Sequence, residues 1–248
     1  MLLRLRIWVA DRPGALGQVT RELGACGADI VQVSVLSREL GRALDEITVF
    51  LPEEDQRDRL ERSLRSLSTV AVEGIRASGE VPGAFPDLDL LGRVAADPRA
   101  SLNILADALP RILAADWAVA VRIGSAGPLP ASAVLARSWD APRELVLPEL
   151  PSRAATVSVG TSRYAAVPVG ETGVLAVVCR IGDPPFHRFE VLRLSRLTEV
   201  AAAIAGSRLV VRAAASAGAS SSASASASSV TASASGQGGA GQAAASAS

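Results

Sequence analysis

Leu3, Leu5, Ile7 and Val9 alternate with Arg4, Arg6 and Trp8. At Asp11-Arg12-Pro13-Gly14-Ala15-Leu16 this alternation gives way to apolar residues at helical spacing. A change of period from two to 3.6 across a proline-glycine turn predicts a strand with one buried face feeding directly into an amphipathic helix. Such a turn is a place to hold a small anion: the first helical N–H groups are unpaired, the helix dipole is positive there, and Gly14 leaves the backbone unobstructed. Asp11 has two readings at this position, as the helix N-cap or as a ligand contact.

The helix after Pro13 places Leu16, Val19, Leu23 and Cys26 on one stripe, with Gln18, Arg21 and Glu22 outward, and Gly24 and Gly27 end it. Ile30–Ser37 reads as a second strand with Val31, Val33 and Val35 on one face. Gly41 turns the chain into a third, Leu44–Leu51, with Ile47, Val49 and Leu51 inward. A charged helix is predicted over Glu53–Leu67 and a fourth strand over Thr69–Ala77. The order β-α-β-β-α-β is the split βαβ arrangement, a four-stranded antiparallel sheet with both helices on one face. The other face would carry Arg4, Arg6, Trp8, Gln32, Ser34, Thr48 and Phe50, a mixed surface of the kind that a partner commonly covers.

With 248 residues the chain has room for two domains. The predicted division is 1–80, a linker at 81–86, a second domain at 87–212, and a tail at 213–248 built from Ala, Ser, Gly, Gln and Thr with a single Val, which cannot build a core. In the second domain a helix over Pro98–Ala115, interrupted near Pro110, precedes strands at Trp117–Ile123, Ala133–Trp139, Glu144–Leu147, Arg163–Val169 and Gly173–Ile181. A long helix over Phe186–Val211 follows. Helix, antiparallel sheet, helix is an α+β fold.

Twenty-five basic residues, all arginine, balance 25 acidic ones and are interleaved with them, which argues against a nucleic-acid partner. No apolar run approaches the roughly 20 residues that span a bilayer, and charge interrupts the N-terminal apolar stretch, so the expected location is the cytoplasm, away from membranes. Cys26 and Cys179 lie far apart in apolar surroundings and read as buried reduced thiols. His187, the single histidine, reads as a surface or capping residue at the start of the last helix. The sequence contains no phosphate-binding Gly-Lys-Ser/Thr loop, metal-ligand cluster or Gly-x-Ser-x-Gly elbow. The expectation is a non-enzyme with no cofactor and no metal.

Ile7 through Leu16 resembles the strand and D/N-R-P-G-x-L turn of the ACT domain, and Gly27-Ala28-Asp29-Ile30 is similar to that family's G-x-N/D-I entry into the second strand. The resemblance covers about residues 1–80 and implies a ferredoxin-like fold and an amino-acid ligand held at an interface between two such domains. By motif, Asp11, Arg12, Pro13, Gly14, Ala15 and Leu16 would form the ligand loop, with Asp29 and Ile30 at the second-strand entry. Two carboxylates stand where several amino-acid-binding members carry Asn; each can hold an ammonium group, but two of them near a ligand carboxylate repel it unless Arg12 or a partner compensates. Tyr164–Val169, Gly173–Val178 and the helix beyond Phe186 resemble the closing hairpin and terminal helix of a GAF domain, over about Asp87–Val211. Together the resemblances imply an allosteric, homodimeric regulatory protein that binds an amino acid. The alternative is a ligand-free interaction protein that uses both domains for dimerisation and recruitment of a protein partner.

Overall fold

In a computed structural model, which describes residues 1–79 and 85–206, the N-terminal alternation folds as its periodicity predicts. The elements β1 (Leu2–Ala10), α1 (Ala15–Ala25), β2 (Asp29–Glu39), β3 (Arg42–Phe50), α2 (Gln56–Ser66) and β4 (Val70–Ala77) form an antiparallel sheet of order β2-β3-β1-β4. Leu3, Leu5 and Ile7 are fully buried against Val19 and Leu23 of α1 and Leu60 and Leu64 of α2. Both helices therefore cover the apolar face of the sheet. Helix α2 starts at Gln56 rather than Glu53, and the Glu53 carboxylate accepts a hydrogen bond from Gln56 Nε2 at 3.1 Å. Strand β2 pairs with β3 through two register shifts, and the first leaves Val31 out of the ladder. The expected one-face row of Val31, Val33 and Val35 is thus broken by a bulge.

The second half opens with α3 (Pro86–Ala96), which begins on a residue assigned to the linker; positions 81–84 of that linker lie outside the described residues. Pro86 sits in the first turn together with Asp87 and Asp89, which suits the missing N–H and the positive end of the helix. A 3-10 turn at Pro98–Ala100 leads into α4 (Ser101–Ile112). This helix runs through Pro110 instead of breaking there, because Leu102, Leu105, Leu109 and Ile112 are buried on both sides of the proline.

Then come β5 (Trp117–Arg122), β6 (Gly127–Pro128), β7 (Val134–Arg137), β8 (Val146–Leu147), β9 (Ala155–Val159), β10 (Ser162–Pro168), β11 (Val174–Ile181) and α5 (Arg188–Ala205). Five of these strands form an antiparallel sheet of order β7-β5-β11-β10-β9, and β8 pairs with β6 in a separate ribbon. One sheet face packs Ala118, Ala120, Val167 and Val178 against the helices, and the other packs Trp117, Val119, Tyr164 and Val177 against Leu145, Leu147 and Leu150. The fold is α+β, with both sheets in one compact unit. Helix α5 begins two residues later than expected because His187 is its N-cap: Glu190 accepts from the His187 N–H at 2.7 Å, and His187 Nδ1 accepts from the Phe189 N–H at 3.4 Å. The predicted end of this helix at Val211 and the tail at 213–248 lie outside the described residues. No described helix is long and apolar enough to cross a membrane.

Cys26 and Cys179 are buried free thiols. Burial, helped by the charge of Asp116, pushes the Cys179 thiol up to about 11, so it is neutral and unreactive near pH 7.

The second face of the four-stranded sheet departs most from expectation, because the chain covers part of it with its own second half. Arg6 is only 2% exposed. Its Nη1 donates to the Pro185 carbonyl at 2.9 Å, and its Nη2 lies 2.8 Å from Glu46 and 2.9 Å from Glu190. The other Glu190 oxygen pairs with Arg180 Nη2 at 2.7 Å, while Arg180 also donates to the carbonyls of Leu113 at 2.6 Å and Pro184 at 2.8 Å. Burial alone would push the Glu190 carboxyl up; the charges of Arg180 and Arg6 outweigh it and hold the group below the ordinary carboxylate range. Gly74, opposite Arg6 in β4, lets Pro184 lie directly on the strand, since a Cβ there would come within 2.7 Å of the Pro184 nitrogen.

Candidate ligand site

The loop predicted to hold a ligand links β1 to α1. Asp11, Arg12, Pro13 and Gly14 are exposed, and Ala15 and Leu16 are half-buried. Asp11 is not the N-cap. Gly14 takes that position with φ of 82°, and no side chain caps the helix. Glycine is required here because the left-handed backbone is costly for residues with a Cβ. Helix α1 also has no acidic residue in its first turn, so its positive end carries no compensating charge of its own.

Asp11 instead faces Arg38, whose Nε lies 3.8 Å from its Oδ1. The compensating arginine that the sequence reading sought in Arg12 is therefore supplied by β2. Asp45 belongs to the same group. It stands opposite Ile7 on the helix-covered face of the sheet, is only 4% exposed, and its Oδ1 has no hydrogen-bond partner among the described residues. Burial raises the Asp45 carboxyl above its ordinary value; Arg38 works against this rise and Asp11 adds to it. The Ala15 and Gly17 N–H groups donate to the carbonyls of Arg12 and Gly14, at 3.2 and 3.1 Å, so what the loop presents is the positive end of a helix with no acidic side chain in its first turn, beside the Asp11 carboxylate.

Asp29 and Ile30 lie elsewhere. Asp29 shares a row with Leu2 and Phe50 at one end of the sheet, whereas Ala10, Arg42 and Glu39 share the row at the other end, next to Asp11. Eight residues of β1 and of β3 separate the rows, on the order of 25 Å. One chain therefore keeps Asp29, which is exposed, apart from the Asp11 loop, and Ile30 is spent packing against the core.

Sequence reasoning missed Arg38 and Asp45. Asp45 was legible by parity, since it falls in step with Ile47, Val49 and Leu51. Arg38 was not, because the bulges in β2 reset its face. Among the described residues no group of three or more His, Cys, Asp and Glu side chains could hold a metal ion.

The ACT-domain family model matches residues 3–69, the segment that contains the loop, Arg38 and Asp45. A search of curated proteins returned no match. Among solved structures, the chain is similar to the ACT domain from GTP pyrophosphokinase of Chlorobium tepidum, at 20% identity over 31% of this chain and 95% of that one, with a TM-score of 0.26. It is also similar to a formyltetrahydrofolate deformylase from Pseudomonas putida KT2440, at 19% identity and a TM-score of 0.26, and spans 39% of that chain's length and 39% of its own. An unknown protein from Galdieria sulphuraria is 14% identical over 80% of this chain and 91% of that one, again with a TM-score of 0.26. The N-terminal unit of this chain carries an ACT domain.

Proposed function

We propose that this chain is a non-enzymatic regulatory protein whose ACT domain binds an amino acid at the Asp11–Leu16 loop, between two copies of the chain. ACT domains bind small ligands in regulatory roles. The observation that carries the finer reading is the loop itself: a helix start with no acidic side chain in its first turn, set beside the Asp11 carboxylate, a polarity matched to a zwitterion.

A second copy removes the separation of Asp29 from the loop. Strand β2 is an edge strand whose Val33 and Val35 are 40% and 50% exposed. Pairing two β2 strands antiparallel about a two-fold axis sets Asp29 of one copy beside Glu39 and Arg38 of the other, within about 10 Å of the second copy's Asp11. The ligand would then bridge the copies and favour one dimer geometry, by as much as its affinity differs between geometries. The GAF-like half would receive that change through Arg6 of β1, which ends on Glu190 of α5.

A thermal-shift screen of the full chain against the twenty amino acids tests this. A ligand at 100 times its Kd stabilises by about 2.7 kcal/mol, a shift of roughly 5 to 10 °C for a domain of this size. One or a few amino acids are expected to give that shift in wild type and not in Asp29→Ala, with a dimeric mass by light scattering. A flat screen on folded dimer would favour the ligand-free interaction protein.

A further inference from the structure

A second concavity lies away from the loop. It is a cleft of about 670 Å³ between β4, the C-terminal part of α4 and the turn after β7, within the range of small-molecule sites. At its edge stands Trp139, an indole 95% exposed. The turn that carries it is rigid. The Ser138 N–H donates to the Ala118 carbonyl at 2.8 Å, Ser138 Oγ accepts from the Ala118 N–H at 3.0 Å, and the Ala141 N–H donates to the Ser138 carbonyl at 3.2 Å. Arg137 Nη1 closes the far side on the carbonyls of Pro142 and Arg143, at 3.3 and 3.2 Å. A large apolar surface is thus held in water by a turn that pays little entropy on binding.

The charges around the cleft are unevenly engaged. Arg76 donates to the carbonyls of Ala114 and Ile181 and to Asp116, at 3.1, 2.8 and 2.7 Å, so its guanidinium is occupied and neutralises Asp116. Arg111 also lines the cleft, with Nε donated to the Gly79 carbonyl at 2.7 Å. Asp107 and Asp140 line it too and form no hydrogen bond or ion pair among the described residues. Three carboxylates against two guanidiniums leave the lining at a formal charge of −1. An exposed indole face beside unengaged carboxylates suits a cation with an apolar body, because the ring quadrupole and the carboxylates attract the same charge.

We propose that this cleft binds a small organic amine, with Trp139 as the stacking face and Asp107 and Asp140 as counter-charges, at a site separate from the ACT loop. Calorimetric titration of the full chain with phenethylamine and with phenylacetate tests it, since the two share a ring and differ in the sign of their charge. The expected result is saturable binding of phenethylamine and not of phenylacetate, weakened about fivefold or more by Trp139→Ala. The double variant Asp107→Asn/Asp140→Asn is expected to weaken it likewise. All three positions are exposed, and unchanged melting temperatures would show that the variants remain folded. Equal binding of the two probes, no phenethylamine binding at millimolar concentration, or full affinity in either variant would overturn the proposal.

Discussion

The same chain packs against both faces of the four-stranded sheet, covering only part of the second, and it does so by opposite chemistry. On one face Leu3, Leu5, Ile7, Ile47 and Val49 meet α1 and α2 in an apolar layer whose only misfit is Asp45. On the other, Arg6 is ringed by Glu46 and Glu190, with Glu73 at 3.8 Å, and roofed by Pro185. Apolar contacts are non-directional and tolerate sliding, whereas a buried guanidinium is tolerated only where its carboxylates are in place. The helix-covered face therefore supplies adhesion, and the charged face fixes where the second half of the chain sits.

Removing one member of the buried charge group should have the largest effect. Glu190→Ala leaves Arg6 and Arg180 buried and facing each other, and should cost about 3 to 5 kcal/mol in urea unfolding. The pH dependence follows from the depressed Glu190 carboxyl. Its contribution is fully present above the ordinary value of 4.5 and is lost as pH falls through its lower native value, so wild type and Glu190→Gln should converge in stability below pH 4.5. On the apolar face, Leu23→Ala should cost about 3 kcal/mol as a cavity, with no such dependence on pH. Gly74→Ala drives a methyl into Pro184 and should cost about 1 to 3 kcal/mol; melting curves of the variant measure it.

The smallest effect should be a gain. The Asp45 carboxyl is raised, so the native state is penalised at pH values above its native pKa and is free of the penalty below the ordinary value of 3.8. Asp45→Asn should therefore stabilise by about 1 kcal/mol at pH 7, a rise of roughly 2 to 4 °C in Tm, and the gain should vanish as pH falls to 3.8. A variant with no gain at pH 7 would mean that the helix-covered face accommodates that charge.

The first 77 residues were largely legible because a half-buried strand writes its burial as strict alternation, and Leu3, Leu5, Ile7 and Val9 are all buried. The same rule hid Arg6. Its parity placed it on the open face, and nothing local announces that Pro185 and Glu190 close over it from the far end of the chain. Arg180 left a fainter trace as the lone charge in the buried run of β11. Strand β9 went unread although Ala155, Val157 and Val159 alternate with Thr156 and Ser158, because the alternation lasts only five residues. Helix α3 carried recognisable start signals in Pro86, Asp87 and Asp89, but the linker reading ended on Pro86 and no element was expected before Pro98. For the site, the Asp11 loop was legible as a turn; the placement of Asp29 at the opposite end of the sheet was not, because it depends on strand pairing rather than on local pattern.

The charged roof over β1 bears on how the chain is made. Arg6 and Glu190 are 184 positions apart in the sequence. At about 5 to 20 residues per second of synthesis, Arg6 leaves the ribosome roughly 10 to 40 seconds before its partner. An apolar face waiting that long for its cover would adhere to other nascent chains. Arg4, Arg6, Glu46 and Glu73 keep the waiting face hydrated until α5 arrives, so the residues that lock the finished protein also guard it while it is incomplete.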